Sequence, residues 1–180
     1  MRKIIYIVLF SILVAACSPL KFDRYAGEAL QEIPEAYRGR YVNPSIAVND
    51  SDTVMLYISN KSYTITDKSE TSIEILDENH VFSTYKNKDF LFIKEDGAWS
   101  GFQMSKKKNK LTIVPLIGPM KSDTTKDVKI LKRFFADVVV LNKNSNIDKY
   151  SYAVKMDDKK LLKYINKIKK HKVVFTQVQE

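Results

Sequence analysis

Apolar and polar residues alternate along most of the chain between positions 53 and 117, and this period of two is typical of half-buried β-strands. In the first segment, Val54, Leu56 and Ile58 lie on one side of the predicted strand, and in the third, Ile73 and Ile75 share a side. The seven segments of this kind cover residues 53–59, 62–66, 71–76, 80–85, 89–93, 98–104 and 111–117. We predict an antiparallel meander of about seven strands.

Short polar segments separate these strands and predict the turns between them. The dipeptide Asp96-Gly97, which lies between two apolar segments, is the strongest hairpin signal in the chain. Pro115 cannot donate a backbone hydrogen bond, so it predicts that the last strand lies at a sheet edge or bends there.

Beyond residue 119 the apolar period becomes helical. Val128, Leu131 and Phe135 recur at helical spacing, and Thr124 with Asp127 has the spacing of a capping box. The clearest helix follows Asp157-Asp158, because apolar residues and lysines there separate onto opposite faces. The predicted elements are a helix over 125–136, strands at 138–141, 150–154 and 173–178, and the helix after position 157. Residues 138–141 alternatively extend the first helix.

The first seventeen residues have a different organisation. Arg2 and Lys3 precede an apolar run over 4–14, and Ala15-Ala16 stand before Cys17. This is the anatomy of a secretory signal peptide. The apolar run is about a dozen residues, whereas a helix that crosses a bilayer needs about 20, so a permanent transmembrane span is the weaker interpretation.

The sequence Val14-Ala15-Ala16-Cys17 resembles the lipobox of bacterial lipoproteins. The resemblance implies cleavage after Ala16, a diacylglyceryl group on the Cys17 sulfur and a membrane contact through these acyl chains. It also implies a location in the cell envelope, and Ser18 in place of Asp favours the outer membrane. The alternative is an ordinary signal peptide with an incidental cysteine.

We therefore expect three parts: a signal peptide over 1–16, a lipidated tether over 17–36 with a short helix at 24–32, and one domain over 37–180. Fully extended, the 18 residues 18–35 of this tether span about 60 Å and leave the domain free of the lipid surface. The expected fold class is α+β: an antiparallel meander, either open or barrel-like, with C-terminal helices packed on it. The residues Tyr37-Arg38-Gly39-Arg40-Tyr41 resemble the opening strand of lipocalin-like barrels, while the domain as a whole resembles uncharacterised envelope lipoproteins.

The positive charge is concentrated in one segment. The chain carries +9, and removal of residues 1–16 with Arg2 and Lys3 leaves +7, of which residues 155–172 contribute +6. One interpretation is contact with anionic lipid or acidic glycan; the interpretation that we favour is a solvated helix face. An export signal argues against nucleic acid as a partner. The candidate contact residues are Lys159, Lys163, Lys167 and Lys170.

Residues for nucleophilic or metal chemistry are few. Cys17 is the single cysteine, and the only histidines are His80 and His171. The polar segments 49–52 and 77–80 are interpreted as turns rather than metal sites, and no cofactor or metal is expected. Glu70, Glu74, Glu95 and Asp96 are the candidates for paired acid/base carboxylates.

Ten aromatic residues fall in the meander, and we interpret them as core packing rather than as the lining of a ligand cavity. They are Tyr37, Tyr41, Tyr57, Tyr63, Phe82, Tyr85, Phe90, Phe92, Trp99 and Phe102. The favoured function is a non-enzymatic binding or envelope-assembly module with an unidentified protein partner. The alternative is a carboxylate-dependent hydrolase that acts on cell-envelope polymers.

Overall fold

A computed structural model of the chain describes residues 20–43, 54–67, 70–119, 123–144 and 149–178. Thirteen strands and two α-helices are assigned in these residues, so the fold is α+β. The strands are β1 (Leu20–Phe22), β2 (Glu28–Ala29), β3 (Gly39–Asn43), β4 (Val54–Ile58), β5 (Ser62–Asp67), β6 (Glu70–Ile75), β7 (His80–Tyr85), β8 (Lys88–Glu95), β9 (Ala98–Lys107), β10 (Lys110–Pro115), β11 (Ala136–Asn144), β12 (Lys149–Lys155) and β13 (Val173–Val178). The helices are α1 (Thr124–Leu131) and α2 (Asp158–Ile168), and short 3₁₀ turns lie at Glu35–Tyr37 and Lys169–His171.

The strands form one curled, half-barrel sheet, and the predicted antiparallel meander is confirmed in two runs of paired neighbours, β4-β5-β6 and β7-β8-β9-β10, with no pairing between the described residues of β6 and β7. The longest path through the sheet runs β11-β12-β1-β9-β10-β13-β3-β4-β5-β6, while β8, β7 and β2 continue from β9. The hairpin at Asp96-Gly97 is also confirmed. Both residues have positive φ, 52° and 79°, which is the conformation that a two-residue type I′ turn requires.

Pro115, which has no backbone N–H, lies at a position where the sheet does not require a hydrogen-bond donor. On one side it pairs with Phe102 of β9, whereas β13 pairs with β10 only between Lys110 and Ile113. Strand β10 is not an edge strand, because it lies between β9 and β13, but β13 ends its pairing before Pro115, so no described strand pairs with the proline on that side.

The predicted tether is wrong for residues 20–36, which belong to the folded domain. Leu20 and Phe22 are buried in β1, which pairs in parallel with β12. The expected helix at 24–32 is replaced by turns and by β2, which pairs with β7. Gly27 adopts a φ of 74°, and a side chain there would meet the carbonyl oxygen of Thr84. This segment is therefore held by a contact with a strand that is distant in sequence. Because β2 itself has only two residues, the local sequence pattern is too short to reveal it.

The helix predicted over 125–136 begins near its predicted start but ends five residues early. Asp123, rather than Thr124, is the cap, since its carboxylate accepts a hydrogen bond from the backbone of Lys126 at 3.1 Å. The expected capping-box residue Asp127 is instead fully buried, and the Tyr152 hydroxyl donates to it at 2.9 Å. A strand begins at Ala136 because edge pairing with β12 replaces helical hydrogen bonds there.

The core consists of two clusters of buried apolar side chains. One lies between the sheet and the helices, and it includes Phe22, Phe92, Phe135 and Tyr164. The other lies inside the curl of the meander, around Tyr41. Helix α2 faces the first cluster with the apolar side that the sequence predicts, namely Leu161, Tyr164, Ile165 and Ile168. No helix within the described residues is long and apolar enough to cross a membrane.

Candidate interaction surface

Strands β13, β3, β4, β5 and β6 lie side by side, and their outward residues form a continuous row. The register pairs Val178 with Arg40, Arg40 with Tyr57, Tyr57 with Thr64, and Thr64 with Ile73. At about 4.8 Å between neighbouring strands, this row of five side chains spans about 19 Å. Large apolar or aromatic side chains therefore recur along one exposed line.

This row belongs to a wider apolar surface, here called the β4–β6 face, which consists of Arg40, Met55, Tyr57, Ile73, Ile75 and Val178. Tyr57 is 47% exposed and Ile73 is 65% exposed. The alternate residues of the same strands, among them Leu56 and Ile65, are buried in the core. The outward side chains therefore add nothing to the core, and apolar groups of this size at the surface indicate an interaction site.

A shallow depression of about 880 Å³ lies at the β13 side of this face. Its lining includes Arg38, Arg40, Tyr57 and Gln177. The Arg38 guanidinium is held by Glu32 at 3.1 Å and by the carbonyl of Ile33 at 3.0 Å. Arg40, in contrast, is exposed and makes no ion pair with a described residue. Among the described residues, it is the cation of this face without an ion pair.

Strand β6 ends the sheet on this side, because β5 is its only partner among the described strands. Its outward residues Thr71, Ile73 and Ile75 are exposed, while Ser72 and Glu74 point inward. The sequence correctly places Ile73 and Ile75 on one side, but that side is the solvent-facing one. An open edge presents unpaired backbone N–H and C=O groups to which an extended chain can add.

His80 connects the edge strand to the next hairpin. Its Nδ1 lies 3.1 Å from Asp77 Oδ1, and its Nε2 lies 3.4 Å from Glu74 Oε2. Burial acts to raise the pKa of Asp77, but hydrogen bonds from the Asn79 backbone and from the His80 ring and backbone together hold it below its ordinary value. The segment interpreted as a turn thus also links β6 to the start of β7 through side-chain contacts, without backbone pairing between the described residues of the two strands.

The four candidate carboxylates of the hydrolase interpretation have separate environments. Glu74 contacts His80, Glu95 is paired with Lys21 at 3.0 Å, and Asp96 lies exposed in its hairpin turn. The side chain of Glu70 lies outside the described part of the chain. Among the residues that the structure describes, no group of three or more side chains is arranged to hold a metal ion.

The aromatic residues of the meander mostly serve as core, as predicted. Eight of the ten are buried, while Tyr57 is exposed and Tyr85 is half-buried. The hydroxyl of buried Tyr37 donates a hydrogen bond to Asp89 at 2.6 Å. Burial is the main cause, and this hydrogen bond the second cause, that raises the pKa of Tyr37. The aromatic side chains inside the curl therefore form part of the packed core.

Lys159, Lys163 and Lys167 lie on the exposed side of α2, as the sequence predicts, and Lys170 is exposed in the 3₁₀ turn that follows the helix. Lys159 lines a second depression, of about 550 Å³, together with Arg24 and Lys155. The ammonium of Lys167 lies 5.7 Å from the centre of the Phe134 ring. The predicted lipid-attachment residue Cys17, the cleavage position Ala16 and the segment 49–52 lie outside the described residues.

Comparison with known proteins adds no assignment: no protein family, characterised protein or solved structure shows significant similarity to this chain. The β4–β6 face is the feature that sequence reasoning missed. Its signal was the alternation of isoleucines in 71–76, which does not reveal which side of an edge strand faces solvent.

Proposed function

We propose that this protein is an exported lipoprotein, anchored in the cell envelope through acyl chains on Cys17, whose domain binds a protein partner. The lipobox-like sequence Val14-Ala15-Ala16-Cys17 supports the anchor, and its Ser18 favours the outer membrane. The observation that carries the binding role is the edge of β6 to which no described strand pairs, beside the exposed isoleucines of the β4–β6 face.

The partner is an extended polypeptide segment with an acidic side chain. Strand addition to β6 supplies main-chain hydrogen bonds, and Ile73 and Ile75 offer contacts for alternate side chains of the added strand. Tyr57, Met55 and Arg40 are residue types that are enriched at protein interfaces. Arg40, which makes no ion pair with a described residue, lies three strands from β6, so its charge complements a carboxylate in a part of the partner that extends across the face.

The hydrolase alternative has less support, because it needs two carboxylates at one substrate. Glu74 and Glu95 are each engaged with a different basic partner, His80 and Lys21. A shared site would require both contacts to open.

The anchor is tested by intact-mass analysis of the protein purified from membranes. We expect cleavage after Ala16 and the added mass of acyl chains on Cys17, and we expect Cys17→Ser to abolish both labelling with palmitate and membrane retention. Palmitate incorporation into the variant, or a wild-type protein that fractionates without the membrane, would contradict the lipoprotein assignment.

The binding role is tested by a photo-crosslinking amino acid placed at Tyr57 or Ile75 in the full chain, with Lys163 on α2 as the control position. We expect one adduct, with the same envelope protein, from both face positions and none from the control. Arg40→Glu should remove the adduct, whereas the matched charge reversal Lys159→Glu should retain it. Equal adducts at Lys163, or no effect of Arg40→Glu, would remove the support for this face.

A further inference from the structure

The opposite end of the sheet path carries a second exposed apolar edge. Strand β11 pairs only with β12 among the described strands, and its register shifts twice along that pairing. Three consecutive residues of this strand are exposed: Val139 at 54%, Val140 at 40% and Leu141 at 41%. We call these three residues the β11 edge.

The β11 edge lies close to the start of the folded domain. Val140 pairs with Tyr152, and Tyr152 pairs with Leu20, so the three residues form one row across β11, β12 and β1. Two strand spacings place Val140 about 10 Å from Leu20. Leu20 is the third residue after Cys17, and three residues span at most about 11 Å. The backbone of Cys17, the proposed attachment point of the lipid, is therefore within about 21 Å of Val140.

This distance changes the relation of the domain to the membrane. A tether of 18 residues would let the domain float, whereas three residues hold its β1 end against the bilayer surface. Within the described segment 129–141, which leads into and includes the β11 edge, the exposed cations Lys129, Lys132 and Arg133 outnumber the exposed acid Asp137, and this excess suits an anionic lipid surface.

We propose that the β11 edge inserts into the interfacial region of the bilayer that holds the acyl chains, so that the lipid surface covers Val139, Val140 and Leu141. The proposal rests on the proposed lipidation of Cys17. It assigns the membrane contact to β11 rather than to the lysines of α2, and it fixes one orientation of the domain on the bilayer. The ligand is a phospholipid surface rather than a single bound lipid.

The test uses the full chain, processed and lipidated in cells and reconstituted into vesicles of phosphatidylethanolamine and phosphatidylglycerol. Because the Cys17 sulfur is occupied by lipid, a cysteine introduced by Val140→Cys is the only free thiol and can carry an environment-sensitive fluorophore. Val139→Cys provides a second, independent position. The controls are Ile73→Cys, an exposed apolar position on the β4–β6 face, and Lys163→Cys on α2.

For an interfacial depth of about 5–10 Å, we expect shallow spin-labelled lipids to quench the Val140 and Val139 fluorophores about twofold more than the Ile73 fluorophore. Circular dichroism checks that each labelled variant is folded. Quenching at Val139 and Val140 no stronger than at Ile73 overturns the proposal, and selective quenching at Lys163 assigns the contact to α2 instead. Intact-mass measurement of the same samples distinguishes a failure of the β11 proposal from a failure of the lipid anchor. Lipidated protein without quenching refutes only the β11 contact, whereas unlipidated protein refutes the anchor as well.

Discussion

Replacement of Phe22 by alanine tests whether the N-terminal segment is part of the core or a tether. The side chain is 1% exposed, and its ring lies 6.4 Å from that of Phe92 and 5.8 Å from that of Phe135, both edge to face. It therefore connects β1 to β8 and to the segment that precedes β11. A tether residue would have none of these contacts.

The size of the effect follows from the burial. Removal of a buried phenylalanine side chain costs about 3–5 kcal/mol through lost transfer free energy and the cavity that remains. For a domain of this length, about 4 kcal/mol lowers the melting temperature by about 8–16 °C. The matched control is Gln31→Ala in the same segment, which is exposed and should change the free energy of unfolding by less than about 0.5 kcal/mol.

Truncation gives a stronger version of the same test. A chain of residues 36–180 loses Leu20, Phe22 and Ile33, all buried, and each contributes about 1.5–3 kcal/mol. Their sum is comparable to the whole stability of a typical domain, about 5–15 kcal/mol. We expect 18–180 to melt cooperatively in circular dichroism and 36–180 to be unfolded. Equal melting temperatures for the two chains, or for Phe22→Ala and Gln31→Ala, would refute the assignment of β1 to the core.

Three further outcomes are expected. Tyr152→Phe removes the donor to buried Asp127 and should lower the free energy of unfolding in urea by about 1–3 kcal/mol; an unchanged midpoint would contradict the buried hydrogen bond. Gly101→Ala places a methyl group 2.5 Å from the Phe92 ring, so a loss of about 1–3 kcal/mol is expected, and a neutral variant would argue against this packing. The pKa of Asp77 is lower in the folded protein than its ordinary value of 3.8, so this group stabilises the fold above pH 3.8, and the stabilisation is lost as the pH falls through the folded pKa. Asp77→Asn should therefore make the melting temperature depend less on pH below pH 5, and an unchanged dependence would exclude this linkage.

Local sequence patterns predict the meander well because each hairpin is made by neighbouring segments. The turn at Asp96-Gly97 and the alternation in the seven segments are complete within a few residues, and the predicted bounds differ from the observed ones by at most three residues. The sharp division of α2 into apolar and lysine faces is equally local. These elements need no knowledge of the rest of the chain.

The elements that sequence reasoning missed depend on distant partners. Strand β1 has only three residues, and its status depends on β12, which follows it by about 130 positions. The end of α1 at Leu131 depends on the pairing of Ala136 with Lys155. Whether Ile73 faces core or solvent depends on where the sheet stops. In each case the deciding contact is absent from the local window.

The two strands at the ends of the sheet path, β6 and β11, both have exposed apolar residues at an edge of the sheet, but the two edges differ in their regularity. An open edge with exposed apolar residues invites pairing with other chains, which proteins ordinarily prevent with charges, bulges or a cover. Strand β11 has the register shifts that discourage pairing, and the proposed lipid contact supplies a cover. Strand β6 keeps a regular register with β5 over all six residues, from Asp67–Glu70 to Ser62–Ile75. A regular strand accepts another strand more readily than a bulged one, and this difference favours β6 as the edge for a protein and β11 as the edge for the bilayer.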